Sequence, residues 1–202
     1  MPQVLAAVSH DDEVAESRRF ARGFLLPIDD EPALVARGQA TLALLEQAVP
    51  ASLSCRVHVL EGGGAQAFGK GGENMYLSSD LIELPDDEAA AVIAHERVHL
   101  VERHLTQAFV FRALGESLAQ RVPEPERASV TRVASLAQAA VQRDQEFEAD
   151  AGGAHMLAAA GFDSGAMQRA LTRLLPADGP VSPLDDHPPS RDRLARLEAH
   201  LV

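Results

Sequence analysis

Two histidines and a glutamate have the spacing H-E-x-x-H within AAVIAHERVHLVERH, residues 90 to 104. An α-helix turns about 100° per residue, so His99 lies one turn above His95 and about 40° around the axis. Glu96 points to the same side. Two imidazoles placed in this way can bind a zinc ion while the carboxylate reaches a water molecule beside it. His104 falls about 180° from His95 on a straight helix, which predicts a solvated or core-satisfied histidine and not a ligand.

A third ligand for such a metal is available in the segment QEFEADAGG. Glu146 and Asp150 are four residues apart and therefore share one face of a helix. A zinc ion that activates water takes three protein ligands and keeps one position open. Glu146 would complete that set, and Asp150 would accept the outer N–H of a ligating histidine. The alternative is a solvated acidic face, since Glu148 lies in the same segment and Asp144 just before it.

Composition narrows the classes of protein to which the chain can belong. Its 202 residues suit one domain with a sizeable core, and the net charge of −12 argues against a nucleic-acid partner. Cys55 is the only cysteine, which excludes an internal disulfide and a cysteine-rich metal site. No apolar run reaches the roughly 18 to 20 residues of a membrane span, and the N-terminus lacks the features of a signal peptide. These observations predict a cytoplasmic protein; the alternative is a periplasmic one whose targeting segment has been removed.

The spacing of apolar residues along the chain predicts a mostly helical protein, in which helices carry the motif residues. The predicted helices cover residues 11–24, 31–48, 86 to about 121 (including the H-E-x-x-H motif), 127–159, 163–175 and 190–201. SLSCRVHVLEGGG and residues 74–79 are predicted strands, separated by a glycine-rich turn. The predicted fold is α+β: a mostly helical domain around the two motif-bearing helices, with a small sheet from residues 54–80 beside the cleft.

Several segments together resemble the HtpX and CaaX prenyl protease type of zinc metallopeptidase, a family with soluble, BepA-like members. They are QAFGKGGENMYLSSDLI, AAVIAHERVHLVERH, EFEADAGGAHMLAAAGFD and DDHPPSRDRLARL, in the family's order. The resemblance covers about residues 54–200. It implies a gluzincin domain over 51–202. The N-terminal helical segment, 1–50, lies outside the best resemblance and is predicted to pack on the core; the alternative is that it shields the cleft.

The resemblance also implies a role for each matching residue. His95, His99 and Glu146 would be the ligands of one Zn²⁺ ion, and Glu96 the general base. Asp150 matches the aspartate that supports a ligand from behind.

Two further residues of the C-terminal segment match family positions near the metal. His187 and Arg193 correspond to a histidine and an arginine, either of which would hold the oxyanion or stabilise the site. His187 would alternatively bind the zinc in a resting form, or be an ordinary loop histidine. The chain departs from the family at Arg97 and Val98, which fill the middle of H-E-x-x-H. Val98 replaces a glycine that allows close packing, so a different helix contact is expected there.

The function that this resemblance implies is zinc-dependent endopeptidase activity on unfolded or damaged polypeptides. An extended substrate is expected to add to the strand near Met75–Ser79. The alternative function is that of a catalytically silent, zinc-stabilised binding or chaperone-like module. A third reading is a histidine-rich helix without any metal.

Overall fold

The structure is a computed structural model that describes residues 32–51, 53–60, 67–70, 73–174, 182 and 188–200. These residues form α1 (Pro32–Ala48), β1 (Arg56–Leu60), β2 (Ala67–Lys70), β3 (Asn74–Ser78), α2 (Ser79–Ile82), α3 (Asp86–Val101), α4 (His104–Gln120), α5 (Glu124–Ala159), α6 (Ala166–Leu174) and α7 (Ser190–His200). The predicted α+β class, mostly helical with a small sheet, is confirmed. None of the described helices combines the length and the hydrophobicity that a membrane crossing requires. The cytoplasmic location stays a prediction.

The three described strands form one mixed sheet in the order β1-β3-β2. β3 is central, parallel to β1 and antiparallel to β2. The prediction that β3 offers a free edge to substrate is therefore wrong, because its neighbours occupy both of its edges. β2 was not predicted, since Gly69 and the glycines after it are typical of a turn. β2 lies at the edge of the sheet that faces α3.

Helix α1 belongs to the same hydrophobic core as the sheet. Its Leu42 and Leu45 are fully buried and join a cluster that includes Val57 of β1 and Leu77 of β3. The end of α1 agrees with the predicted helix 31–48. The division of the chain at residue 50 stays a prediction, and the predicted helix 11–24 lies outside the described residues.

The motif-bearing helix α3 ends earlier than the sequence predicts. A continuous helix to about Arg121 was expected, but α3 stops at Val101 and α4 starts at His104. Arg103, between them, has a left-handed backbone with φ of 58°, a conformation that non-glycine residues adopt uncommonly. The sequence has no glycine or proline at this turn, so nothing local indicated that the predicted helix would end there. The turn redirects the chain and removes the basis for placing His104 opposite His95.

The long helix α5 begins slightly earlier than predicted. The segment PEPE was expected to precede the helix, yet α5 starts at Glu124 with Pro125 in its first turn. The first amides of a helix have no partner within it, so a proline there costs no helical hydrogen bond.

Helices α3 and α5 approach closely because α5 has two glycines at the crossing. A Cβ on Gly153 would lie 3.1 Å from the backbone nitrogen of His95, and one on Gly152 would lie 2.9 Å from Cγ2 of Val98. The glycine expected inside the H-E-x-x-H motif is thus replaced in function by glycine on the facing helix. This close crossing brings the predicted metal ligands on α3 near the predicted ligand on α5.

We expect the substitution Gly152→Ala to lower the free energy of unfolding by about 1–3 kcal/mol, since the added methyl group overpacks the crossing. The clash comes from Cγ2 and Cγ1 of Val98, at 2.9 and 3.3 Å, whereas its Cβ is 3.7 Å away. In a Val98→Ala background the same change should be neutral or stabilising, because alanine also favours the helix. Denaturant unfolding of the four proteins in this cycle measures the coupling. Equal effects in both backgrounds would contradict the assigned contact.

Candidate metal centre

Three side chains from α3 and α5 converge on one point. Nε2 of His95 lies 3.0 Å from Nε2 of His99. The Glu146 carboxylate lies 3.6 Å from His95 Nε2 and 3.5 Å from His99 Nε2. A tetrahedral zinc ion with bonds of about 2.0–2.1 Å separates its ligand atoms by about 3.3 Å, close to these distances. The predicted ligands are thus brought together with a spacing and a donor set that fit zinc.

The outer nitrogen of His95 belongs to a buried network of charges. Its Nδ1 lies 3.0 Å from Oδ1 of Asp150. Arg193 of α7 donates from Nε and Nη2 to the two oxygens of Asp150, at 2.7 and 2.6 Å. Its Nη1 lies 2.9 Å from Oε2 of Glu146. Asp150 has the position that the sequence predicted, and the Arg193 guanidinium is directed at both carboxylates. Of its two predicted roles, this geometry favours stabilisation of the site.

These contacts give the two histidines opposite electrostatic environments. Burial lowers the pKa of His95, but the carboxylates of Asp150, Glu146 and Glu96 outweigh burial, so the pKa is raised overall. Burial and the neighbouring His95 charge lower the pKa of His99 to about 3. A proton would therefore compete with a metal more strongly at His95 than at His99.

His104 lies on the outer side of His99. It is only 3% exposed, and its Nδ1 is 3.0 Å from Nδ1 of His99. It is not one of the three converging side chains, as the sequence predicted. Its contact with His99 was missed, because the turn at Arg103 was not foreseen.

Glu96 lies where α3 meets the edge strand β2. The backbone N–H of Gly69 donates to its Oε2 at 3.0 Å. Burial raises the pKa of the Glu96 carboxyl, and the nearby Glu146 acts in the same direction, against the lowering effect of His95. The carboxylate is thus anchored on one oxygen, next to the converging ligands.

A cavity of about 780 Å³ adjoins the buried charge network. Asp150 and Arg193 contribute to its lining together with Val98 and Phe147, whereas neither the three converging side chains nor Glu96 do so. It therefore borders the supporting network and not the metal ligands. His187 lies outside the described residues, and its role stays a prediction.

In metal-free protein, we expect Arg193→Gln to lower the free energy of unfolding by about 3–5 kcal/mol at neutral pH, because two buried carboxylates lose their cation. The pKa of Asp150 is lowered by hydrogen bonds from Arg193 and His95, which outweigh its burial. The stabilisation of the folded state by ionised Asp150 is therefore fully present above the unfolded pKa of about 3.9. It is lost as the pH falls through the folded pKa.

The stability difference between wild type and this variant should accordingly shrink in acid, as measured by denaturant unfolding with a chelator over a range of pH. Arg191→Gln is the matched control: this exposed side chain lies 3.6 Å from Asp192 and should cost less than about 1 kcal/mol. A difference that stays constant or widens in acid would contradict the assigned pairing.

Comparison with known proteins agrees with this geometry. The model of Peptidase family M48 matches residues 39–201. A Vibrio cholerae protein named as a beta-barrel assembly-enhancing protease is 34% identical over 127 residues, which cover 54% of this chain and 26% of that protein. A protease HtpX homolog of Nostoc punctiforme is 32% identical over 148 residues, with 59% and 50% covered. The corresponding homolog of Trichormus variabilis is 31% identical over 162 residues, with 65% and 54% covered.

The chain thus spans about half the length of the two HtpX homologs and about a quarter of the Vibrio cholerae protein. The matched residues include both motif-bearing helices and Arg193. The resemblance inferred from the motifs is confirmed, and this chain belongs to Peptidase family M48.

Proposed function

We propose that this chain is a zinc-dependent endopeptidase acting on polypeptides. The observation that carries the proposal is the convergence of His95, His99 and Glu146, with the Glu96 carboxylate anchored next to them. Three ligands leave a coordination position for water or substrate, as in catalytic zinc sites. The membership of Peptidase family M48 supports the same conclusion.

His95, His99 and Glu146 would hold the zinc ion, with Asp150 and Arg193 orienting two of these ligands. When bound, zinc supplies Lewis acidity, which polarises a peptide carbonyl and lowers the pKa of water from 15.7 toward about 7.

Glu96 is the proposed general base. One of its oxygens accepts the Gly69 N–H, which fixes the side chain and leaves the other oxygen to take a proton from water. Burial raises the pKa of this carboxyl, which makes the carboxylate a stronger base nearer to neutral pH. Glu96 would then pass the proton to the leaving nitrogen of the cleaved peptide bond.

The outer edge of β2 is the proposed platform for substrate. The Gly69 N–H points away from β3 and toward Glu96, so this edge lies along the catalytic side of α3. An extended peptide can add to such an edge through backbone hydrogen bonds. Backbone pairing requires an extended chain and reads few side chains, which supports unfolded or damaged polypeptides as the substrate class.

If substrate pairs with β2, a peptide inhibitor with a zinc-binding end should slow amide exchange in the segment Ala67–Lys70, chiefly at Ala67. The N–H of Ala67 faces the same outer edge as that of Gly69, which Glu96 already holds, whereas the alternate amides face β3. The β1 amides, Arg56–Leu60, are the control, since β1 lies at the opposite edge of the sheet. Hydrogen–deuterium exchange with and without inhibitor measures both segments. Protection at β1 without protection at β2 would refute the platform.

Arg97 bears on the alternative of a catalytically silent zinc module. This departure from the family pattern is fully buried, and its guanidinium lies 2.7 Å from Oε1 of Glu46 in α1. It also donates to the carbonyl of Leu53. Arg97 thus joins α3 to the α1 side of the domain, and its unusual identity has a packing explanation. Its presence therefore lends little support to loss of catalysis.

We expect Glu96→Gln to reduce cleavage of unfolded casein by about 10²–10⁴-fold, because glutamine cannot accept the proton. Zinc content should be unchanged, since all three ligands remain. Time courses of cleavage and metal analysis of the same preparations measure the two effects. Glu102→Gln is the matched control, as Glu102 is exposed just after α3 and should keep full activity.

The possible outcomes separate the candidate functions. Wild-type protein that binds zinc and cleaves nothing would support the silent module. Wild-type protein that binds no zinc would refute both. Full activity in the Glu96→Gln variant would remove Glu96 from the role of base.

A further inference from the structure

His104 is a buried polar residue that the proposed mechanism does not use. It is 3% exposed, and its ring meets that of His99 edge to face, with centroids 4.9 Å apart. The two Nδ1 atoms are 3.0 Å apart, a hydrogen-bonding distance. Between two neutral imidazoles one nitrogen must carry the proton and the other must accept it.

Metal binding by His99 decides which nitrogen carries this proton. The Nε2 of His99 is the atom that converges with His95 and Glu146, so its lone pair would go to the metal. The neutral ring must then carry its proton on Nδ1. Nδ1 of His104 is consequently the acceptor, and the proton of His104 is on Nε2.

The far side of His104 is compatible with that assignment. Its Nε2 lies 3.4 Å from Oε2 of Glu148, a carboxylate that would attract an N–H. The contact is an electrostatic approach without full hydrogen-bond geometry. Glu148 is 58% exposed, so this outer contact is expected to contribute less than the buried one.

We infer that His104 is a positioning residue for the metal: it accepts the Nδ1–H of His99 and so fixes the tautomer and ring orientation in which His99 binds zinc. This inference rests on the zinc binding that the proposed function requires. Asp150 occupies the equivalent position behind His95. The two ligands would therefore have different outer partners, a carboxylate for His95 and a neutral imidazole for His99.

The left-handed turn at Arg103 makes this pairing possible. It starts a new helix at His104 and directs that ring back toward α3. A neutral acceptor also suits this place, because Glu96, Glu146 and Asp150 already contribute three carboxylates to the site. A further buried carboxylate would add repulsion among like charges.

Zinc affinity of two variants tests the inference. His104→Asn keeps an acceptor atom bonded to Cγ, where Nδ1 stands, whereas His104→Leu has a similar shape and no acceptor. Removal of a side chain that hydrogen-bonds a metal ligand typically weakens metal affinity by about 10–100-fold. We expect that weakening for His104→Leu in competition titrations against a chelating dye, and recovery of most of it for His104→Asn. Glu148→Gln should weaken binding less than His104→Leu.

A second readout identifies the tautomers directly in wild-type protein. Long-range ¹H–¹⁵N spectra of the zinc-loaded, histidine-labelled chain should show His99 protonated on Nδ1 and His104 protonated on Nε2. Far-UV circular dichroism checks that each variant is folded. If His104→Leu does not fold, the wild-type spectrum still decides the question.

The outcomes distinguish this inference from the function on which it rests. Wild-type protein that fails to bind zinc would refute the proposed function and the inference together. If wild-type protein binds zinc and the His104→Leu variant binds it with equal affinity, the inference alone is overturned. A His104 ring protonated on Nδ1 in the zinc-loaded protein would do the same.

Discussion

The buried guanidinium of Arg193 is the interaction on which the metal centre depends. Glu96, Glu146 and Asp150 bring three carboxylates into a partly dehydrated space, where like charges repel one another and burial acts to raise the pKa of Glu96 and Asp150. Arg193 opposes both effects, since it binds both oxygens of Asp150 and approaches Glu146. One cation from α7 therefore favours the ionised form of Asp150 and lies beside Glu146.

The charge network reaches His95 because α3 and α5 pack closely. Gly152 and Gly153 remove side chains from the crossing, which places Asp150 within hydrogen-bonding distance of His95. The short sheet fits the other side of α3, where Gly69 brings the β2 backbone to Glu96. A Cβ on Gly69 would lie 2.6 Å from Cδ2 of Leu100, so glycine also permits this approach. Small residues thus set the spacing on both sides of the motif-bearing helix.

The two ligating histidines differ in what supports them. His95 faces an anion, and its raised pKa means that a proton competes with the metal there. His99 is half-buried between the rings of His95 and His104, and its pKa is lowered to about 3. The pair therefore combines one basic ligand, strengthened by a carboxylate, with one that is available for metal at any physiological pH.

Local spacing alone was enough to predict the parts of the site that lie within single helices. His95, Glu96 and His99 share one side of α3, and Glu146 and Asp150 share one side of α5, because helical periodicity carries over short distances. The family resemblance added Arg193 and the order of the segments. The predicted helix 31–48 and the central strand were placed well, since their apolar patterns are regular.

Tertiary structure alone decided how these elements face one another. β2 forms a strand despite its glycines, because β3 and α3 supply partners that no local pattern reveals. The turn at Arg103 has no glycine or proline to announce it, and the packing beyond it buries His104 against His99. Arg193 is separated from Asp150 by 43 residues, so their pairing depends on where α7 docks. Sequence determined which residues can bind a metal, whereas long-range packing decided which partners orient them, because hydrogen bonds between elements depend on positions that periodicity cannot encode.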